Sequence, residues 1–254
     1  MNPVIIRNVR IGEGIPKICV PIAGATEKEI IDQAAELPGL PVDIVEWRAD
    51  WFADVFDFER VNEVLEKLRE AAGDLPLLFT FRTALEGGEK SITAAEYTEL
   101  VVRASGTGLI DLVDIEYFTV GEDLHKCLKA AHESGVRAIV SSHDFQETPS
   151  KEEMLARLRG MQEAGADIPK LAVMPRNRRD VLNLLDATQE MVTGYADRPI
   201  ITMSMGVRGL ISRLCGEEFG SSVTFGSAKQ ASAPGQIPVS ELVTVLRTIH
   251  ENLS

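Results

Sequence analysis

Short apolar runs alternate with longer amphipathic segments along most of the chain. Each run is four to eight residues long and rich in Val, Ile and Leu, which is typical of a strand buried on both faces. The segments between the runs repeat apolar residues at helical spacing. The pattern predicts eight strands, at residues 18–23, 42–48, 77–82, 109–116, 136–143, 170–174, 200–205 and 223–226.

The predicted helices carry recognisable start and stop signals. A hydroxyl residue followed three positions later by Glu predicts a capping box, and this spacing occurs at Thr26/Glu29, Thr93/Glu96 and Ser150/Glu153. Glycine in the left-handed conformation often ends a helix, which predicts helix ends at Gly73, Gly135 and Gly165.

Eight strand–helix units predict an α/β fold, the (β/α)₈ TIM barrel, as a single domain over residues 1–254. Residues 4–11 alternate around Asn8 and predict a β-hairpin that closes the barrel floor. The alternative is an open doubly wound sheet with a glycine-rich turn after its first strand. We reject it because Gly12-Glu13-Gly14 precedes that strand.

Composition narrows the possible partners. The net charge of −13 argues against nucleic acid and anionic membranes, but not against a small anionic substrate in a locally positive pocket. No apolar run approaches the ~18 residues of a membrane span, and the first ten residues lack a signal-peptide pattern. We therefore expect a cytoplasmic protein. The three cysteines are widely spaced, which indicates reduced thiols.

Polar residues recur where the predicted strands end. In a TIM barrel the catalytic groups lie at the carboxyl ends of the strands. Alternate residues of a strand point to the same side, and on one side of these strands an apolar residue lies near the start and polar residues lie near the end. Examples are Ile44/Glu46/Arg48, Leu78/Thr80/Arg82, Leu112/Asp114/Glu116 and Ile139/Ser141/His143. Several such strands together predict a pocket.

Lys170 lies inside the apolar stretch 168–175. Burying an ammonium group is costly unless the amine is neutral or paired. A neutral lysine is a nucleophile toward carbonyl carbons, so the stretch predicts a catalytic lysine. The alternative is a lysine at the mouth of a strand that extends its ammonium group to solvent.

His143 ends the strand next to that of Lys170, and we predict an acid/base role for it. Glu86 is followed by two glycines, which indicates a shaped loop, and its carboxylate is a candidate to orient the His143 imidazole. A structural histidine and a solvated glutamate are the alternatives. No His/Glu cluster has the spacing of metal ligands, so we expect no metal.

Arg48, Arg82 and Arg213 are the candidate clamp for an anion, because the donors of arginine form a fixed fork that fits a carboxylate. Residues 226–240 form a long stretch rich in Gly, Ala, Ser and Pro, typical of a lid that closes over substrate. Within it, Ser232 and Gln236 are candidate donors to substrate hydroxyls or carboxylate. A plain flexible connection is the alternative.

Eight short motifs are spread over nearly the whole chain. They are Glu46-Trp47-Arg48, Phe79-Thr80-Phe81-Arg82, Glu86-Gly87-Gly88, Ser142-His143-Asp144-Phe145, Pro169-Lys170-Leu171-Ala172-Val173-Met174-Pro175, Met203-Ser204-Met205, Ser212-Arg213 and Ala231-Ser232-Ala233-Pro234-Gly235-Gln236. In this order and spacing, the motifs resemble those of the type I 3-dehydroquinate dehydratases.

The resemblance implies a lyase of the shikimate pathway that dehydrates 3-dehydroquinate to 3-dehydroshikimate, toward chorismate and the aromatic amino acids. It also implies that the enzyme uses no metal or cofactor and is a homodimer. Lys170 would form a Schiff base with the C3 ketone, His143 would move the protons, and Glu86 would be hydrogen-bonded to His143. The residues implied in substrate binding are Glu46, Arg48, Arg82, Met203, Met205, Arg213, Phe225, Ser232 and Gln236.

One position departs from the family pattern. Pro21 stands where some members carry a serine that contacts substrate. Because proline lacks both the hydroxyl and a backbone donor, we expect weaker or water-mediated binding at that end of the site.

Two alternatives to the dehydratase remain at this stage. A class I aldolase would form the same kind of imine but would cleave a carbon–carbon bond, often in a sugar phosphate. A non-catalytic barrel would bind a metabolite without turnover.

Overall fold

The computed structural model describes residues 2–37, 39–228 and 237–253. All eight predicted strands are present among these residues, with ends that differ from the prediction by at most three positions. A two-stranded hairpin precedes them. The strands are β1 (Val4–Ile6), β2 (Val9–Ile11), β3 (Lys17–Ile22), β4 (Ile44–Arg48), β5 (Leu77–Thr80), β6 (Leu112–Glu116), β7 (Arg137–Asp144), β8 (Ile168–Val173), β9 (Ile201–Ser204) and β10 (Val223–Phe225).

Helices connect the successive strands of the barrel. They are α1 (Glu27–Ala35), α2 (Phe58–Ala72), α3 (Ala94–Ser105), α4 (Leu124–Glu133), α5 (Lys151–Ala164), α6 (Arg178–Gly194), α7 (Leu210–Leu214), α8 (Gly216–Phe219) and α9 (Val239–Leu253). No helix formed by the described residues is long and apolar enough to cross a membrane. All three cysteines are free thiols.

Strands β3 to β10 form one parallel sheet that curls into a barrel. Neighbouring strands follow chain order from β3 to β9, and β10 pairs with β3. At the seam between β9 and β10, the Ser222 N–H donates to the Ile200 carbonyl at 2.9 Å. The Ser221 hydroxyl accepts from the Thr202 N–H at 3.0 Å and donates to the Thr202 carbonyl at 3.1 Å. The predicted (β/α)₈ barrel is confirmed.

The N-terminal hairpin covers one end of the barrel. Strands β1 and β2 pair antiparallel, and Arg7 Nε donates to Asp111 Oδ1 at 2.7 Å. The hairpin packs its buried residues Ile6, Val9 and Ile11 against interior side chains near the strand starts, namely Cys19, Ile44, Leu78, Leu112, Ile139, Ile168 and Ile201. The predicted floor-closing hairpin is confirmed, and the polar interior residues are left to the opposite end.

The alternation of side chains along each strand separates a core from a site. Trp47, Phe79 and Val113 point outward and are fully buried against the helices. Burial of each large apolar side chain in this layer contributes roughly 1.5–3 kcal/mol. The opposite parity therefore carries Glu46 and Asp114 into the barrel interior, where both are buried.

The predicted helix ends are confirmed with one exception. The capping boxes form at Thr26/Glu29 and Thr93/Glu96, and glycines end the helices at Gly73, Gly135 and Gly165. At Ser150 only half of the box forms, because its hydroxyl accepts from the Glu153 N–H at 3.2 Å without a return bond. The Glu153 carboxylate accepts from Arg157 Nε at 2.8 Å instead. The prediction of a third complete box is wrong because an ion pair one helical turn away competes for the carboxylate.

The seam between β9 and β10 gives a stability prediction. Ser221→Ala removes both hydrogen bonds between the Ser221 hydroxyl and the backbone of Thr202. The buried N–H of Thr202 then lacks its acceptor, so the free energy of unfolding should fall by about 1–3 kcal/mol. Urea denaturation measures the change. The matched control is Ser91→Ala at an exposed loop position, which should change stability by less than about 0.5 kcal/mol. Equal stability of the two variants would contradict a closing role for Ser221.

Candidate active site

A cavity opens at the carboxyl ends of the strands. It is lined by ten of the predicted site residues, namely Glu46, Arg48, Arg82, Glu86, His143, Lys170, Met203, Met205, Arg213 and Phe225, together with Gly87, Phe145 and Ala172. The predicted donors Ser232 and Gln236 lie outside the described residues. Pro21 lies on a neighbouring cavity instead. One end of the barrel thus collects nearly every candidate that the sequence offers.

Lys170 is held in the interior by an acid and an aromatic ring. The residue is 3% exposed, and its Nζ lies 3.0 Å from Asp114 Oδ2 and 4.7 Å from the centre of the Phe225 ring. Lys170 on β8 pairs with Ser141 on β7, and Ser141 precedes His143 by two residues. The alternative of a lysine that extends its ammonium group to solvent is wrong, because the amine is buried in the cavity.

Glu86 makes two contacts with His143. Glu86 ends a short 3₁₀ turn after β5, and Gly87 follows it in the left-handed conformation at φ 84°. The Glu86 Oε2 atom accepts the backbone N–H of His143 at 2.9 Å and lies 2.9 Å from the imidazole Nδ1. The carboxyl group therefore contacts both the backbone and the imidazole of His143, and the ring nitrogen Nε2 has no hydrogen bond to the residues that the structure describes.

Burial disfavours the charged form of both members of this pair. Burial raises the pKa of Glu86 to about 8, with the carboxylates of Glu116 and Asp114 acting in the same direction and Arg82 opposing them. Burial, followed by the positive charges of Arg82 and Lys170, lowers the pKa of His143 well below its usual value. An imidazole that is neutral at pH 7 is suited to accept a proton.

Two of the three predicted clamp arginines are already paired with carboxylates. Arg48 makes two bonds of 2.8 Å to Asp50, which is fully buried. The guanidinium of Arg82 contacts Asp114 at 2.8 Å and Glu116 at 2.9 Å. Burial opposes the charge on Arg82, but these carboxylates outweigh it and raise its pKa well above the usual value.

Arg213 differs from the other two arginines. It is buried, and no carboxylate of the described residues forms an ion pair with it. Its Nη1 contacts Met203 Sδ at 3.5 Å, and its Nε has no hydrogen-bond partner among the described residues. Burial alone lowers the pKa of Arg213 to about 10. A buried cation without an anionic partner is a recognition group for an anion brought by a ligand.

The sequence reasoning missed Asp50 and the contact between Gly87 and Phe145. The carboxylate of Asp50 also accepts from the backbone N–H groups of Arg82 and Glu89, so it ties the loop that carries Glu86 to the end of β4. A β-carbon at Gly87 would lie 2.3 Å from the Phe145 ring. The spacing Arg48-x-Asp50 directly after a strand is the signal that indicates such a pair.

The chemistry that this arrangement offers is carbonyl addition and proton transfer. The cavity combines an amine, an oriented imidazole and a guanidinium without an acid, all sheltered from bulk water. The described residues contain no group of three or more His, Cys, Asp or Glu side chains arranged to hold a metal ion.

The coupling between Lys170 and His143 can be measured directly. Lys170→Met should raise the pKa of His143, because it removes a nearby positive charge and frees the negative charge of Asp114, and both changes favour the imidazolium. NMR titration of the imidazole Cε1–H follows the change, with His143→Gln identifying the resonance. Lys126→Met, at an exposed position of α4, is the control and should leave the titration where it is. An unchanged or lower pKa in Lys170→Met would show that the amine does not act on the imidazole.

The chain matches known proteins over its whole length. The family model of type I 3-dehydroquinase matches residues 18–253. A 3-dehydroquinate dehydratase of Clostridioides difficile strain 630 is 54% identical over 249 residues, which cover 98% of each chain. One of Bacillus velezensis is 53% identical over 253 residues and 100% of each chain.

The fold agrees with a solved structure of the same kind. A crystal structure of type I 3-dehydroquinate dehydratase from Clostridium difficile, with covalently modified comenic acid, superposes with a TM-score of 0.97 at 54% identity. The superposed part covers 99% of this chain and 100% of the chain in that crystal structure. The family match, the identity over full length and the agreement of the folds lead to one conclusion: the chain belongs to the type I 3-dehydroquinase family.

Proposed function

We propose that this enzyme is a hydro-lyase that converts 3-dehydroquinate to 3-dehydroshikimate through a Schiff base on Lys170. One observation carries the proposal: a buried lysine amine, an oriented histidine and an arginine without an acidic partner line the same cavity. Membership of the family supplies the reaction class, and the chemistry of the residues agrees with it.

The first step joins the amine to the ketone. The ammonium group of Lys170 first gives a proton to His143, and the neutral amine then attacks the C3 carbonyl carbon. The carbonyl oxygen takes that proton back and leaves as water, so that a protonated imine remains on Nζ. Overall, amine, ketone and one proton give iminium and water. The iminium withdraws electrons from the neighbouring carbon and so acidifies the C2–H bond.

The second step is the elimination. His143 takes the C2 proton, and the electrons of that bond form an enamine. The enamine electrons then expel the C1 hydroxyl, which leaves as water when His143 returns a proton to it. This step forms the product iminium, and water hydrolyses it to 3-dehydroshikimate and the ammonium group of Lys170. The two contacts of Glu86 with His143 support a role for Glu86 in orienting the ring.

Arg213 is the proposed partner of the substrate carboxylate. The absence of an acidic partner among the described residues supports this role, since Arg48 and Arg82 are occupied by Asp50, Asp114 and Glu116. Arg48, Arg82 and Glu46 would contact the polar groups of the ring, and Met203, Met205 and Phe225 would form its apolar wall. Ser232 and Gln236 would complete the site.

The proposal extends to the context of the enzyme. We assign it to the cytoplasm and to a homodimer of single-domain chains, on the strength of the sequence pattern and the family resemblance. The reaction needs no metal or cofactor, because lysine supplies the electron sink and histidine supplies the proton transfer.

Borohydride trapping tests the nucleophile. Reduction in the presence of 3-dehydroquinate should give a mass gain on the peptide that contains Lys170, because borohydride converts the imine to a stable amine. Lys170→Ala should show neither adduct nor turnover, whereas the exposed control Lys126→Ala should behave as the wild type. Turnover by Lys170→Ala would overturn the mechanism, and an adduct formed with a phosphosugar instead would favour the aldolase alternative.

The carboxylate clamp has its own matched pair of variants. Arg213→Met should raise KM for 3-dehydroquinate about 10- to 150-fold with a smaller change in kcat, because a charge-assisted contact of about 1.5–3 kcal/mol is lost. Arg208→Met changes an exposed arginine five residues away and should leave both constants unchanged. Steady-state kinetics of the two variants measure the difference. An equal KM in both would remove Arg213 from the binding site.

A further inference from the structure

Asp114 is the carboxylate that contacts the reacting amine. It lies on β6, is 1% exposed, and its Oδ2 is 3.0 Å from Lys170 Nζ. Among the ion pairs of the described residues, no other carboxylate reaches this nitrogen. Burial opposes its charge, but Arg82 and Lys170 outweigh it and hold the pKa of Asp114 below its usual range. Asp114 is therefore an anion directly beside the atom that forms the imine.

The orientation of Asp114 is fixed by other bonds. Its Oδ1 accepts from the Ser141 hydroxyl at 2.5 Å and lies 2.8 Å from the Arg82 guanidinium. These two contacts occupy one carboxylate oxygen and leave the other for Lys170. Because the carboxylate is enclosed and both of its oxygens are bound, it does not have to reorganise when Nζ changes from an ammonium group to an iminium.

Glu116 provides an internal comparison. It lies two residues further along β6 and is also fully buried. It accepts from Arg82 at 2.9 Å and from Thr83 and Thr119, with no contact to Lys170. The two carboxylates thus share Arg82 but differ in their relation to the amine. Lys170 and Arg82 thus face two anions, Asp114 and Glu116. Glu86 also lies 3.5 Å from Arg82, but burial raises the pKa of this carboxyl group to about 8, so the cluster is balanced at pH 7 when Nζ carries a positive charge.

We infer that Asp114 is the counter-ion of the protonated imine and is a further catalytic residue of this reaction, an inference that rests on the function proposed above. The nitrogen carries one positive charge both as the ammonium group and as the iminium. The iminium keeps one N–H, which donates to Asp114 Oδ2 in place of an ammonium N–H. Asp114 therefore keeps the imine protonated, and only the protonated imine is an effective sink for the C2 electrons.

Other charged or titratable groups face the same cavity or the interior beneath it. They come from strands β3, β4, β6 and β7, from the segment after β5 and from α7, and they are Cys19, Glu46, Arg48, Arg82, Glu86, Glu116, His143 and Arg213. A test for the counter-ion must therefore change Asp114 and leave the rest of this set intact.

Asp114→Asn and Glu116→Gln form the matched pair for the test. Each removes one buried negative charge from the contacts of Arg82, so both should lose stability. Only Asp114→Asn should lower kcat by about 10²-fold with a small change in KM, and reduce the yield of the borohydride adduct. The alkaline limb of its kcat profile should also move to lower pH, because an iminium without its counter-ion loses its proton more easily.

Chemical rescue provides a second measurement that does not depend on the asparagine variant. In Asp114→Ala, added formate should restore kcat and the adduct yield, because the small anion fits the space of the deleted carboxylate. Neutral formamide should not restore either quantity. Rescue by both additives, or by neither, would show that the negative charge beside Nζ is not what the reaction requires.

The outcomes separate this inference from the proposed function. If the wild type gives no adduct with 3-dehydroquinate, the Schiff-base function itself is wrong. If the wild type gives the adduct but the pH profile and adduct yield of Asp114→Asn match those of Glu116→Gln, the function stands and the counter-ion role of Asp114 is overturned.

Discussion

The contact between Lys170 and Asp114 is the interaction on which the site depends. A lysine in the middle of a barrel loses most of its hydration, and only a close anion or loss of its proton compensates for that loss. The anion at 3.0 Å is itself buried and would be equally costly alone. Arg82 and Glu116 extend the pair into a four-membered cluster in which every charge has an opposite neighbour. The reactive amine is thus kept in a place that water barely reaches.

The layering of the barrel explains why this cluster lies where it does. The hairpin and the first interior residues of each strand fill the lower barrel with apolar side chains, so polar residues of the same parity are confined to the upper end. There the strands β4 to β8 contribute one or two polar side chains each, and residues that are 27 to 59 positions apart in sequence form hydrogen bonds with one another. The strands position these polar side chains, and the loop after β5 contributes Glu86 to the same end of the barrel.

Much of the barrel and of the candidate site could be predicted from the sequence, and what could not be predicted has physical causes. The strand pattern and its parity predicted that Glu46, His143 and Lys170 face the interior, because period two along a buried strand depends only on local sequence. Parity also places Asp114 in the interior as a neutralising partner for Lys170, but the contact between them depends on the register between strands, which the pattern does not give. Asp50 was missed because its role depends on the path of two loops. The second half of the Ser150 capping box failed through competition from Arg157, which a motif does not reveal.

The three arginines show how an acidic protein can still recognise an anion. Arg48 is held by Asp50, and Arg82 and Lys170 are held by Asp114 and Glu116, so these charges are balanced within the protein. Arg213 remains, buried beside Met203 and without an acid among the described residues. A positive potential local to one corner of the cavity is compatible with a net charge of −13, because solvent and salt screen exposed acids that lie more than about 10 Å away, whereas a buried cation is screened much less. Among the three clamp arginines of the described residues, Arg213 is the one without an acidic partner, which is why the proposed function assigns the substrate carboxylate to it.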